Sequence, residues 1–246
     1  MPRLRVFAGP TGSGKSTIKD QISPGLISTY VNADEIEKEV NQTGFLDLSA
    51  FNIVATADEL YGFLGPHTLI HKAQLHDQVH LIGLKGKRVD FRRIEMNSYY
   101  SSVISDFIRH KLLALGESFT FETVMSSDDK IKFMKRAQDQ GYRTYLYFVA
   151  TDSVTININR VANRVDYGGH PVAEDKIVKR YRGSLDLLPS AVAASNRAYI
   201  FDNSADKSIL LAEVTEGTDL QYHCEEIPEW FVNAYVDRVY DSNGAA

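Results

Sequence analysis

The chain has 246 residues, with 27 Lys+Arg against 32 Asp+Glu, a formal net charge of −5, and 43% hydrophobic and 24% charged residues. This is the composition of a globular protein with a sizeable core, one large domain or one domain carrying a substantial insertion. The acidic balance argues against a broad nucleic-acid or anionic-membrane surface. The single cysteine, Cys224, excludes an intramolecular disulfide and suits a reducing compartment. No apolar stretch nears the ~18 residues of a membrane span and no secretory pattern opens the chain, so the expected location is the cytoplasm.

In chain order, Leu4–Ala8 reads as a short buried strand and Ser16–Ile22 as the start of a helix cut off by Pro24-Gly25. Between them stands Gly9-Pro10-Thr11-Gly12-Ser13-Gly14-Lys15-Ser16-Thr17, a complete G-x-x-x-x-G-K-[ST] loop in the strand–loop–helix setting that gives the motif its meaning. Its glycines let backbone N–H groups curl around phosphate, and the helix N-terminus adds partial positive charge. Lys15 is the residue to reach the β- and γ-phosphates, and the Ser16 hydroxyl the ligand for Mg²⁺. The loop predicts binding of a nucleoside triphosphate with Mg²⁺.

A second strand is expected over Leu26–Asn32, and a short helix over Asp34–Gln42, stopped by Gly44. A long helix is expected over Ser98–Leu115, with Ser98 as N-cap, Gly116 beyond its end, and Val103, Ile104, Phe107, Ile108, Leu112 and Leu115 on one face. Strand patterns at Ser118–Val124, Tyr142–Ala150 and Ala198–Phe201 alternate with helices at Asp128–Gln140, Asp152–Asp166 and Glu174–Leu188, the last broken by Pro189. Asp152 reads as the cap of its helix. The tail, 205–246, offers a hairpin at Glu216-Gly217 and a helix after Pro228. This rhythm predicts an α/β fold of the P-loop NTPase class: a parallel sheet of about five strands flanked by helices. Residues 45–94 break the rhythm and read as a structured, inserted subdomain within a single P-loop domain, because featureless loops of that length are uncommon.

Ligands of open parallel sheets bind at the carboxyl ends of the strands. Besides the loop, that rule selects Asn32, Asp34, Glu122 and Thr123. Asp34 can take the proton of an acceptor hydroxyl, hold a Mg²⁺-bound water, or merely favour its helix N-terminus. Glu122 follows the apolar run Phe119-Thr120-Phe121 and is costly to bury without a ligand, a metal shell or a cation. Arg160 to His170 and Lys179 to Arg182 read as two arginine-loaded helices around a Gly168-Gly169 hinge, a lid over a phosphoryl-transfer site; Arg164 and Arg180 are the two arginines singled out. His67, His71, His76 and His80 fall at helical spacing without a matching acidic or cysteine set and read as helix-surface histidines.

The loop at Gly9–Thr17, Asn32-Ala33-Asp34, Phe119–Thr123, Arg164, Gly168–Val172 and Arg180-Tyr181 together resemble the zeta-toxin-like P-loop kinases, over most of residues 3 to 204. The resemblance implies a single, nucleotide-kinase-like α/β domain and an ATP- and Mg²⁺-dependent kinase acting on a hydroxyl of a small molecule, in zeta toxins a UDP-activated amino sugar, with an antitoxin protein as a candidate partner. It implies Asp34 as general base, Asn32, Glu122 and Thr123 on the substrate side, and Lys15, Arg164 and Arg180 on the transferring phosphate. The insertion at 45–94 departs from the family pattern. The alternative is a P-loop ATPase or nucleotide-dependent switch, against which stand the lack of an LSGGQ-like motif, of an N-K-x-D selector and of a clean Walker B strand.

Overall fold

Leu4, Val6, Phe7 and Ala8 are fully buried, and they form the centre of β1 (Arg3–Ala8). The computed structural model describes residues 1–166 and 171–239, so the Gly168-Gly169-His170 hinge lies outside the described residues. The chain divides into two compact units, residues 1–27 with 122–246, and residues 28–121.

In chain order, the first unit holds β1, α1 (Lys15–Gln21) and a single turn, α2 (Pro24–Ile27). The second unit holds β2 (Thr29–Val31), α3 (Ala33–Thr43), β3 (Phe45–Asp47), α4 (Ala57–Leu64), α5 (Thr68–Lys72), β4 (Gly83–Lys85), β5 (Arg88–Asp90) and α6 (Ser98–Leu115). It ends in β6 (Phe119–Thr123), whose last residues, Glu122 and Thr123, already belong to the first unit. The first unit resumes with α7 (Asp129–Asp139), β7 (Arg143–Ala150), α8 (Val154–Asp166), α9 (Glu174–Asp186), α10 (Leu188–Ala193), β8 (Arg197–Asp202), β9 (Ile209–Thr215), β10 (Asp219–Tyr222) and α11 (Glu229–Phe231). Beyond α11 the helix widens into a π turn over Val232–Val236.

In the first unit β1 and β8 flank β7, both parallel to it, with Val6 opposite Leu146 and Phe148 opposite Ile200. β9 and β10 extend that sheet antiparallel beyond β8, through the expected hairpin at Glu216 and Gly217, both at positive φ. Phe7, Tyr147 and Tyr199 stack across three adjacent strands with centroids 4.7 and 5.1 Å apart, and Ile18 of α1 packs on the same cluster. In the second unit β2 runs parallel to β6, while β3, β5 and β4 form a separate antiparallel sheet within residues 45–94.

Several local expectations shift. Pro24 and Gly25 open α2 rather than only ending α1, which shortens the second strand to Thr29–Val31. Asn97, not Ser98, caps α6: its Oδ1 accepts from the N–H groups of Tyr99 and Tyr100. Leu115 is 55% exposed in the last turn, while Val103, Ile104, Phe107, Ile108 and Leu112 are buried as expected. Asp152 does not cap α8; Ser153 does, its Oγ accepting from the Thr155 N–H at 3.1 Å. Pro189 sits in the first turn of α10, where its missing N–H costs nothing.

Candidate functional site

The phosphate loop is built where β1 ends, and its geometry demands glycine. Gly9, Gly12 and Gly14 have φ of 139°, 80° and 90°. A Cβ on Gly14 would stand 2.1 Å from Asn203 Nδ2, and one on Gly9 would stand 2.0 Å from the Val149 carbonyl oxygen. Only glycine permits this backbone at such close approach.

An anion-binding loop presents its N–H groups, so its carbonyls must find donors elsewhere. Here they do. Lys15 Nζ donates to the carbonyls of Gly9 (3.1 Å) and Pro10 (3.0 Å), and the Ser13 N–H also donates to Pro10 O. The Thr11 carbonyl accepts from Asn157 Nδ2 at 2.7 Å, and the Ser13 carbonyl accepts from Asn203 Nδ2 at 2.8 Å. Gly14 O receives the Ile18 N–H, the first bond of α1. The Ser13 hydroxyl is fully buried in this loop with no hydrogen-bond partner among the described residues.

Glu122, at the carboxyl end of β6, meets the loop from the other side. Its Oε2 accepts from Ser16 Oγ at 3.2 Å, and its Oε1 lies 3.9 Å from Lys15 Nζ. A hydroxyl beside a carboxylate fits Mg²⁺, which takes one or two protein oxygens and keeps waters and phosphate oxygens for the rest. The site therefore places Glu122 with Lys15 and Ser16. Thr123 turns back on its own chain, its Oγ1 accepting from the Met125 N–H.

The two arginines selected in the sequence, Arg164 and Arg180, differ from each other. Arg180, on α9, is half-buried and donates to Thr11 Oγ1 at 3.4 Å, a long contact that brings a guanidinium to the loop. Its neighbour Tyr181 donates to the Thr151 carbonyl at 2.6 Å, and burial, then the charges of Asp152 and Asp202, push its phenol up to about 12. Arg164 is exposed in the last turn of α8.

In the second unit, Asn32 caps α3. Its Oδ1 accepts the Asp34 N–H at 2.9 Å and its Nδ2 donates to Tyr30 Oη at 3.1 Å, so both ends of the amide are engaged. Asp34 lies exposed in the first turn of that helix, and the capping itself is done by Asn32. Of the four histidines, His67 caps α5, its Nδ1 accepting from the Leu69 N–H, and its Nε2 lies 3.3 Å from Asp106. His71, His76 and His80 are exposed, and no group of three or more His, Cys, Asp or Glu among the described residues could hold a metal ion.

Asn157, Asn203 and residues bonded to or next to them, which the motifs did not select, complete the loop's surroundings. Asn157 and Asn203 are buried, with 0% and 7% exposure. Asn157 also accepts from the Thr151 hydroxyl, and the Asn203 carbonyl accepts from Arg160 Nη1 at 2.7 Å. Asp202 accepts from Trp230 Nε1 at 2.7 Å. One signal was legible in the sequence: Asn157 stands one turn before Val161 on the buried face of α8, where an amide is costly unless it is hydrogen-bonded.

No family model matches the chain. One chain of the AvrRxo1-ORF1:ORF2 complex superposes at a TM-score of 0.52 and 14% identity, over 96% of this chain and 64% of that one. The chain shares the α/β fold of that protein. A chain of the PezAT toxin–antitoxin system of Streptococcus pneumoniae aligns over 85% of this chain and 72% of its own, at 14% identity and a TM-score of 0.47. A 63-residue segment, 26% of the chain, is 36% identical to an uncharacterised protein of Haemophilus influenzae and covers 45% of that relative. The chain thus spans less than half of the curated relative it matches and less than two thirds of the AvrRxo1 chain. No helix among the described residues is long and apolar enough to cross a membrane.

Proposed function

We propose that this chain is an ATP- and Mg²⁺-dependent phosphotransferase that moves the γ-phosphoryl group of ATP to a hydroxyl of a small molecule. The observation that carries this reading is the meeting of Lys15, Ser16 and Glu122 on a phosphate loop whose carbonyls are turned to other donors. Lys15 binds the β- and γ-phosphate oxygens, and Gly9 to Thr17 enclose them. Ser16 and Glu122 hold the Mg²⁺, which when bound neutralises charge on those oxygens. Arg180 and Arg164 supply guanidinium groups to the transferring phosphoryl oxygens, a role that contributes on the order of 10³–10⁵ in rate where it operates. Asp34, whose own N–H is tied to Asn32, accepts the proton of the acceptor hydroxyl. That oxygen bonds to the γ-phosphorus, the bond to the ADP oxygen breaks, and the charge leaves on ADP. Thr123 belongs to the acceptor side.

The motif resemblance supports a UDP-activated amino sugar as acceptor and an antitoxin as protein partner, and the single cysteine suits a reducing compartment, the cytoplasm. Incubation with Mg-ATP and a panel of nucleotide sugars, nucleosides and small alcohols, with products read by mass spectrometry, tests the reading. A phosphorylated acceptor supports it. ADP formed at a rate independent of every acceptor would replace it with an ATPase.

A further inference from the structure

The phosphate loop is tied to the rest of its unit by two buried amides, one on each side. Asn157 Nδ2 donates to Thr11 O at 2.7 Å from α8, and Asn203 Nδ2 donates to Ser13 O at 2.8 Å from the end of β8. Both amides are themselves fixed. The Thr151 hydroxyl donates to Asn157 Oδ1, and Tyr181 holds the Thr151 carbonyl. The Asn203 N–H donates to Ala150 O at 2.9 Å, and its carbonyl receives Arg160 Nη1. Beside it, Asp202 takes the Trp230 indole N–H and the Ser204 N–H, so a residue of the C-terminal helix stands two links from Ser13. Gly14 is the counterpart: its missing Cβ is what lets Asn203 Nδ2 reach the loop.

We infer that Asn157 and Asn203 are positioning residues for phosphate binding: by holding the Thr11 and Ser13 carbonyls away from the ligand, they keep the loop's N–H groups arranged for the phosphates before ATP arrives. Trp230 supports Asn203 through Asp202. A side chain that only packed the core would contribute equally to every ligand and to stability. A donor that orients a carbonyl acts on phosphate recognition and depends on its proton. The inference rests on the phosphate-binding part of the proposed function, and it needs no knowledge of the acceptor.

The test is calorimetric titration of the full chain with Mg-ATP and with tripolyphosphate, for the wild type, Asn203→Asp, Asn157→Asp and Trp230→Phe, with melting temperatures measured alongside. At pH 8 a carboxylate at either asparagine position cannot donate and faces a carbonyl oxygen, so affinity for both probes falls about ten-fold or more. As the pH is lowered toward 5 the introduced carboxyl gains its proton, donates again, and the gap to wild type narrows. Trp230→Phe, which keeps an aromatic ring but loses the indole donor and part of the ring volume, weakens both probes a few-fold. If Asn203→Asp and Asn157→Asp do not fold, Trp230→Phe alone decides, and wild-type affinity in that variant overturns the inference. Variants that bind with wild-type affinity, or with a loss that does not change with pH, also overturn it. A wild type that binds neither probe overturns the phosphate-loop reading itself, a separate result.

Discussion

The Ser16 hydroxyl donates to Glu122 Oε2 at 3.2 Å, although the two residues are 106 positions apart. One follows β1 and stands in the first turn of a helix; the other ends β6, and its second carboxylate oxygen lies 3.9 Å from the Lys15 ammonium. Glu122→Gln keeps the shape and removes the charge. Turnover at saturating ATP falls on the order of 10²-fold and needs more Mg²⁺, whereas affinity for Mg²⁺-free ATP changes little. Initial rates measured across a Mg²⁺ series check this; an unaltered Mg²⁺ dependence takes Glu122 off the metal side.

Lys15→Met removes the cation that lies over the loop at the Gly9 and Pro10 carbonyls. Charged hydrogen bonds to phosphate are each worth roughly 1.5–3 kcal/mol, so ATP affinity drops about ten- to a hundred-fold. Adenosine, which lacks phosphates, binds as before. Calorimetry with the two ligands separates these outcomes.

Asp34→Asn retains the first-turn position on α3, where Asn32 does the capping. Acceptor phosphorylation falls by about 10²–10⁴-fold, the usual contribution of a positioned general base, with ATP affinity unchanged. Full phosphotransfer by this variant, followed by mass spectrometry, removes Asp34 from the reaction.

Gly14 and Gly116 make a matched pair. Both have positive φ, 90° and 71°, but a Cβ on Gly116 meets nothing within 4 Å, whereas one on Gly14 collides with Asn203. Gly116→Ala therefore costs only the left-handed backbone strain, about 1 kcal/mol. Gly14→Ala adds the collision and loses ATP binding as well. Urea unfolding with and without Mg-ATP distinguishes strain from a displaced loop.

Tyr181 couples the neighbour of Arg180 to pH. Its phenol is pushed up to about 12 from 10.0 chiefly by burial, so the folded protein holds the proton more tightly than the unfolded chain. Its contribution is complete below about pH 10 and is lost as the pH rises toward 12. Tyr181→Phe loses the bond to Thr151 O, about 1 kcal/mol at neutral pH. It also removes this alkaline loss, so its stability falls less steeply between pH 10 and 12, as denaturant titrations across that range will read.

The string of residues determined whatever depends on neighbours in sequence. Gly9 to Thr17 specify a phosphate loop because three glycines at that spacing permit the positive φ values the turn requires. The α6 boundaries followed from helical periodicity closed by Gly116, and the parallel strands from short apolar runs between helices. Even locally the competition between caps was decided by a residue or two, Asn97 over Ser98 and Ser153 over Asp152, since each of these side chains can accept a backbone N–H and chain geometry picks the one that reaches. Only the tertiary structure decided what surrounds the loop. Glu122 joined Ser16 from the end of β6, and Asn157, Asn203 and Trp230 became the loop's supports, through carbonyls and side chains brought together by the pairing of β1, β7 and β8. No periodicity encodes such contacts. A buried amide is stable only against the particular backbone group that satisfies it, and which group that is depends on the packing of strands distant in sequence.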